Sequence, residues 1–126
     1  MTGGGPASGG ASIEDFARLD IRVARVVEAA PLDGARKPAY KMRLDVGVLG
    51  ERWSSARLTE LYSADELVGR LVLAVVNLPA RRVAGFWSEA LVLGVYCSGG
   101  GGGSSGAVAL VSPEDRGGVV PGDRLG

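Results

Sequence analysis

The sequence predicts an all-β domain with a minor helical part, built as a small closed barrel. Three observations carry this. Apolar and polar residues alternate in short runs, most cleanly from Tyr40 to Val46. Turn-forming clusters separate the runs at Asp33-Gly34, Gly50-Glu51 and Val120-Pro121-Gly122-Asp123. A capping pattern, Ser63 with Glu66 three residues on, places one short helix between the third and fourth strands. The 126 residues suffice for one domain with one core. At 46 % hydrophobic and 22 % charged residues, that domain is an ordinary globular one. Many short strands with so little helix to cover them favour closure.

The elements follow in order. Residues 1–11, rich in Gly and poor in apolar contacts, are expected to be a disordered leader. They lack the basic stretch and apolar core of a secretory signal. Ile13–Leu19 can form a short helix, with Ser12 as N-cap, Glu14 and Asp15 in the first turn, and Ile13 and Phe16 as its apolar side. Asp20–Ala29 reads as the first strand, with Ile21, Val23 and Val27 on one face and Asp20, Arg22 and Glu28 on the other. Pro31–Pro38 is a turn region. In the second strand Tyr40, Met42, Leu44 and Val46 point inward and Lys41, Arg43 and Asp45 outward. Trp53–Ala56 is a short third strand. Gly69 can end the helix that Ser63 begins. Leu71–Leu78 is almost continuously apolar, as a strand buried on both sides would be, and Glu89–Tyr96 resembles it. The Gly-rich stretch 99–106 is a flexible loop rather than a linker, since too little chain follows it for a second core. Ala107–Val111 is the last strand.

Composition narrows function. There is no histidine, the usual general base near neutral pH and the commonest metal ligand. Cys97 is the single cysteine, so neither a nitrogen–sulfur zinc site nor an intrachain disulfide can be built, which suits a reducing cytoplasm. The chain is read as non-catalytic, with no metal or cofactor. No apolar run is long enough to span a bilayer. Net charge is zero, 14 basic against 14 acidic residues, which argues against indiscriminate polyanion binding but leaves room for a local patch. Between Arg36 and Arg57, six basic residues (Arg36, Lys37, Lys41, Arg43, Arg52, Arg57) face only Asp45 and Glu51.

The most informative segment is Leu71–Gly94. Two apolar runs flank Asn77, Pro79, Arg81, Arg82, Gly85, Ser88 and Glu89. Loops held by strands are where recognition residues sit, and arginine forks suit phosphate or carboxylate. The order Asn-Leu-Pro-x-Arg-Arg-x-x-Gly-x-x-Ser-Glu resembles the tRNA-binding domain superfamily. Phe16–Ala29, Lys37–Gly47 and Ser54–Arg70 resemble its CsaA branch in the expected order, so the resemblance runs from about Ser12 to the C-terminus. In the tRNA-binding relatives Gly-Met follows the Ser-Glu pair; here Ala90-Leu91 follows, which is closer to CsaA.

The resemblance implies an OB fold over residues 12–126 and a homodimer made with Ser12–Leu19 and Val111–Gly126. Ile13, Phe16, Val119, Val120 and Leu125 are candidates for that interface. It implies tRNA or structured RNA as one partner and unfolded or export-competent polypeptide as another. The alternative is an accessory factor that brings tRNA to an aminoacyl-tRNA synthetase without chaperone activity. The candidate RNA-binding residues are Arg81, Arg82, Ser88, Glu89, Ser54, Ser55, Lys41 and Arg43. The candidate peptide-binding residues are Phe86, Trp87 and Asn77, though for Asn77 the favoured role is structural, satisfying backbone groups where the strand ends. Trp53 is more simply a core residue, whereas Phe86 and Trp87 sit in a loop that the barrel core alone does not explain. Ser54-Ser55 has no activating partner and is not a nucleophile. Glu89 is read as a salt-bridge anchor rather than an acid or base.

Overall fold

The computed structural model describes residues 9–99 and 106–126. Most of the expected leader, and the interior of the Gly-rich loop, lie outside the described residues. Helix α1 is Ile13–Ala17 and α2 is Ala64–Leu67. The strands are β1 (Ile21–Pro31), β2 (Tyr40–Asp45), β3 (Glu51–Ala56), β4 (Leu71–Val75), β5 (Arg81–Val83), β6 (Phe86–Ser88), β7 (Leu91–Val92), β8 (Gly94–Tyr96) and β9 (Val108–Leu110). An antiparallel sheet runs β3-β2-β1-β4-β7, and two separate ribbons pair β5 with β6 and β8 with β9. With α2 between the third and fourth strands, this is the OB barrel.

The long first strand makes the barrel possible. Its leading half pairs with β4, Ile21 opposite Val75 through Arg25 opposite Leu71. Its trailing half pairs with β2, Arg25 opposite Asp45 through Pro31 opposite Tyr40. A bulge interrupts the second pairing: Val26 faces Leu44, Glu28 faces Arg43, and Val27 is the extra residue. Bulges bend a strand and reset which side chains face inward. That corrects the expected face pattern, because Ala24 and Val26 are fully buried in the barrel while Val27 is only partly so. Ile21 and Val23 are buried too, but in a second cluster with Leu73 and Val75, covered by Leu71, Leu93, Val111 and Val119.

The barrel core holds Met42, Leu44 and Val46 of the alternating run, with Val72, Ala74 and Leu67. Leu67 is the one buried side chain of α2. Ser63 caps that helix as expected: its Oγ accepts from the Glu66 N–H at 3.3 Å and the Glu66 carboxylate accepts from the Ser63 N–H at 2.7 Å. Ser12 and Asp15 form the same box on α1, which ends two residues earlier than expected. Between β2 and β3 the chain makes a 3-10 turn over Gly47–Leu49, so β3 begins at Glu51 rather than at Trp53.

The barrel closes between β3 and the chain just before β7, largely through side chains. One backbone bond crosses, from the Glu89 N–H to the Trp53 carbonyl at 2.7 Å. The Glu89 carboxylate accepts from the Trp53 N–H at 2.8 Å, and the Ser88 hydroxyl accepts from the Ser55 N–H at 3.0 Å. The Ser54 hydroxyl donates to the Ala90 carbonyl at 2.7 Å.

The C-terminal residues return to β1. Val23 N–H donates to the Asp123 carbonyl, Gly122 N–H to the Val23 carbonyl and Leu125 N–H to the Ile21 carbonyl, all within 2.9 Å. Gly47 lets this segment dock. A Cβ there would lie 2.3 Å from the Pro121 carbonyl oxygen, and its φ of +64° is left-handed. The expected turn at Val120–Asp123 is present, closed by the Asp123 N–H on the Val120 carbonyl at 3.1 Å.

Candidate nucleic-acid interface

The segment expected to be a plain loop is instead a hairpin. β5 and β6 pair Arg81 with Ser88, Arg82 with Trp87 and Val83 with Phe86. Ala84 and Gly85 turn it, both with positive φ, at +51° and +80°. Two such residues make the turn whose twist matches paired strands. The hairpin lies against β3, where Phe86 meets Trp53 edge to face at 5.8 Å between ring centroids.

Successive residues of a strand point to opposite faces, so the arginine pair divides. Arg81 points to a groove of about 870 Å³. The groove is bounded by the β1–β2 loop, the far end of β3, the hairpin and the β7–β8 chain. Arg36, Lys37, Arg57 and Arg81 line it, and no carboxylate does. None of these four makes a salt bridge among the described residues. Apolar Val83, Val92 and Val108 complete its walls, with the ring of Tyr96. A smaller cavity of about 480 Å³ adjoins it, lined by Leu78, Pro79, Ala80 and Ala90 with Ser88 and Glu89. Ser55, Arg81 and Leu91 border both. Arg82, on the other face, stacks its guanidinium over the Trp87 ring at 5.3 Å. Trp87 is 53 % exposed, while Phe86 is half-buried against Trp53.

The other candidates have structural partners. Ser54 has no exposed surface, and its hydroxyl is committed to Ala90. Ser88 is buried at the same seam; Ser55 is half-buried and reaches both cavities. Glu89 makes no salt bridge among the described residues; it anchors the Trp53 N–H instead, which corrects the expected ion pair. Asn77 clamps the chain after α1, its Oδ1 accepting from the Asp20 N–H and its Nδ2 donating to the Arg18 carbonyl, both at 2.8 Å. Lys41 is on the outward face of β2, opposite Ser55 on β3. Arg43 is neutralised: its Nε donates to Glu28 at 3.0 Å and its Nη1 to Glu51 at 2.7 Å. The Glu28 bond, then Glu51, raises its pKa above the ordinary arginine value. Arg52 is likewise occupied, by the Leu49 and Glu51 carbonyls.

Of the basic stretch expected to contact phosphate together with Arg81 and Arg82, then, it is Arg36, Lys37 and Arg57 that reach the groove, whereas the residues singled out from it are Lys41 and Arg43. Tyr96 and Leu91 were missed entirely. An OB barrel binds oligonucleotides on its second and third strands and on the loops after the first and fourth. That rule, applied to the expected fold, selects the three cations of the stretch that sit nearest the hairpin.

Among the described residues, no helix is long and apolar enough to cross a membrane, and no three His, Cys, Asp or Glu residues are grouped as metal ligands would be. Residues 21–121 match the family described as "Putative tRNA binding domain". The methionine–tRNA ligase of Thiobacillus denitrificans is 36 % identical over 114 residues, 90 % of this chain and 16 % of the ligase. That of Acidithiobacillus ferrooxidans is 37 % identical over 113 residues, 90 % of this chain and 15 % of the ligase. The chain thus spans less than a fifth of these curated relatives. Among solved structures, the chaperone CsaA of Bacillus anthracis superposes with a TM-score of 0.81 at 38 % identity, over 93 % of this chain and 99 % of that one. The CsaA chaperone protein of Picrophilus torridus gives 0.80 at 37 %, over 93 % and 100 %. A barrel with this topology, a cationic groove beside its hairpin and these likenesses agree: the chain belongs to the tRNA-binding domain family, on its CsaA-type branch.

Proposed function

We propose that this protein is a non-catalytic, cytoplasmic homodimer that binds tRNA or another structured RNA through the groove of Arg36, Lys37, Arg57 and Arg81. A single observation carries the reading: four cations converge on one concavity that no carboxylate lines. Phosphates are attracted to such a site, and arginine forks fit them. The likeness to CsaA chaperones supports a second activity, capture of unfolded or export-competent polypeptide. The apolar wall of Leu78, Pro79, Ala80 and Leu91 in the smaller cavity, and the exposed Trp87, are the surfaces for it. The likeness to part of methionine–tRNA ligases favours one alternative, a tRNA-binding accessory of a synthetase with no chaperone role.

The test is tRNA affinity measured across a salt series. Replacing Arg57 and Arg81 together by Gln removes two phosphate contacts, so the slope of log K against log salt should shrink by about two, one per contact. The double replacement Arg18→Gln with Arg116→Gln removes the same two positive charges at exposed positions outside the groove, and should leave the slope nearly as it is. Equal loss in both double variants would show that general charge, not this groove, attracts the RNA.

A further inference from the structure

The chain has three tyrosines, and two are locked in place. Tyr40 is buried, and its hydroxyl donates to the Tyr62 carbonyl at 2.9 Å. The Tyr62 hydroxyl accepts from the Leu110 N–H at 3.0 Å, and its ring lies 5.2 Å from the Arg70 guanidinium. Tyr96 differs from both. It is 77 % exposed, has no hydrogen-bond or ring partner among the described residues, and lines the cationic groove. Its backbone pairs with Val108 in the β8–β9 ribbon, so a strand displays the ring rather than a free loop.

We propose that Tyr96 is a stacking platform for an unpaired base, so that the groove takes a single-stranded segment of RNA rather than the flank of a duplex. The inference rests on the RNA reading of the groove given above. Cations alone serve a duplex, whose bases face one another and whose phosphates lie outside. An aromatic ring set among the cations serves a strand whose bases are splayed out, since every base has a face to stack. The groove suits this because it is concave, about 870 Å³, and its Val83, Val92 and Val108 walls are apolar, as a site that encloses a base requires. Phosphate contacts to Arg36, Lys37, Arg57 and Arg81 would run alongside, and stacking would add little sequence preference.

The experiment compares a short labelled RNA oligonucleotide with its own duplex, at one low salt concentration, on the full chain. Tyr96→Ala should weaken the single strand about 5- to 150-fold and change duplex binding by no more than about twofold, within the uncertainty of such context-dependent contacts. Tyr96→Phe, which keeps the ring, should bind both probes as the parent does. Equal effects of Tyr96→Ala on the two probes, or none on either, overturn the inference. So does a change of particle mass by light scattering, which would make Tyr96 a subunit contact. The double variant Arg57→Gln with Arg81→Gln separates the two readings. Loss of both probes there, with Tyr96→Ala silent, removes the stacking platform and keeps the groove. If the double variant binds like the parent, the groove itself is not the RNA site and both readings fall.

Discussion

Ser54 tests whether the barrel is closed by side chains. It has no exposed surface, and its hydroxyl lies 2.7 Å from the Ala90 carbonyl. The nearest substitute donor is the Ser88 hydroxyl, 3.4 Å from the same oxygen, beyond the usual hydroxyl range. Ser54→Ala therefore removes a good bond and leaves a buried acceptor poorly served. An unsatisfied buried group costs about 1–3 kcal/mol, and the weak Ser88 bond offsets part of it. The expected loss is about 1–2 kcal/mol on that scale, which for a domain of this size is several degrees in Tm. Urea unfolding at fixed protein concentration should show a lower midpoint with an unchanged slope. Amide exchange should quicken at Ser55 and Glu89, which bond across the same seam. A loss below about 0.5 kcal/mol, the range of ordinary surface changes, together with unaltered exchange, would mean that the β3 seam is not held this way.

Three further outcomes are expected. Asn77→Ala breaks both bonds to the chain after α1, a loss of about 1–2 kcal/mol; limited trypsin digestion should cut sooner after Arg18, and unchanged digestion would contradict the clamp. The hydrogen bond from Arg22, at 2.6 Å, holds the Asp20 carboxyl below its ordinary pKa. A lowered folded-state pKa stabilises above the unfolded value and loses that contribution as pH falls through the folded one, so Asp20→Asn should be less stable than the parent at neutral pH and converge with it below about pH 4. Trp87→Ala should weaken capture of an unfolded polypeptide by about 1–2 kcal/mol, since half of its ring remains to be buried, and weaken tRNA less; Arg81→Glu, which lines the groove, should show the opposite order, and identical orders would mean that the two faces of the hairpin act as one surface.

Much of the barrel was legible because its signals are local. Tyr40, Met42, Leu44 and Val46 alternate along one strand, and Ser63 and Glu66 meet within one helical turn. What escaped depends on partners far away in the chain. The bulge at Val27 exists because β1 must leave β4 and join β2, and nothing in the Val26-Val27 pair marks it. The β5–β6 hairpin was hidden because Ala84, not Asn or Gly, opens its turn. Glu89–Tyr96 reads as one strand, yet the chain divides at Leu93, so β7 and β8 belong to different sheets. Charge counting within Arg36–Arg57 could not see that Glu28, from a neighbouring strand, neutralises Arg43. The roles expected of Ser88 and Glu89 rested on side-chain chemistry, and each is bonded to backbone that only the closed barrel brings near; the backbone-satisfying role favoured for Asn77 is the one it has, with partners that the sequence does not name.

The return of Gly122–Leu125 to β1 has a consequence for behaviour at high concentration. The outer edge of Ile21–Val23 opens where β2 stops, and the Val23 N–H and the Ile21 and Val23 carbonyls there are the groups that a strand from another molecule would seek. The sequence around them, Ile21 to Val27, is rich in β-branched residues and free of proline, the composition that stacks readily into fibrils. Arg22 and Arg25 interrupt it with charge, and the C-terminal segment occupies the edge itself. Gly47 bears on that cover as well as on its own turn: a Cβ there would lie 2.3 Å from the Pro121 carbonyl oxygen, so a side chain would displace the segment that occupies the edge.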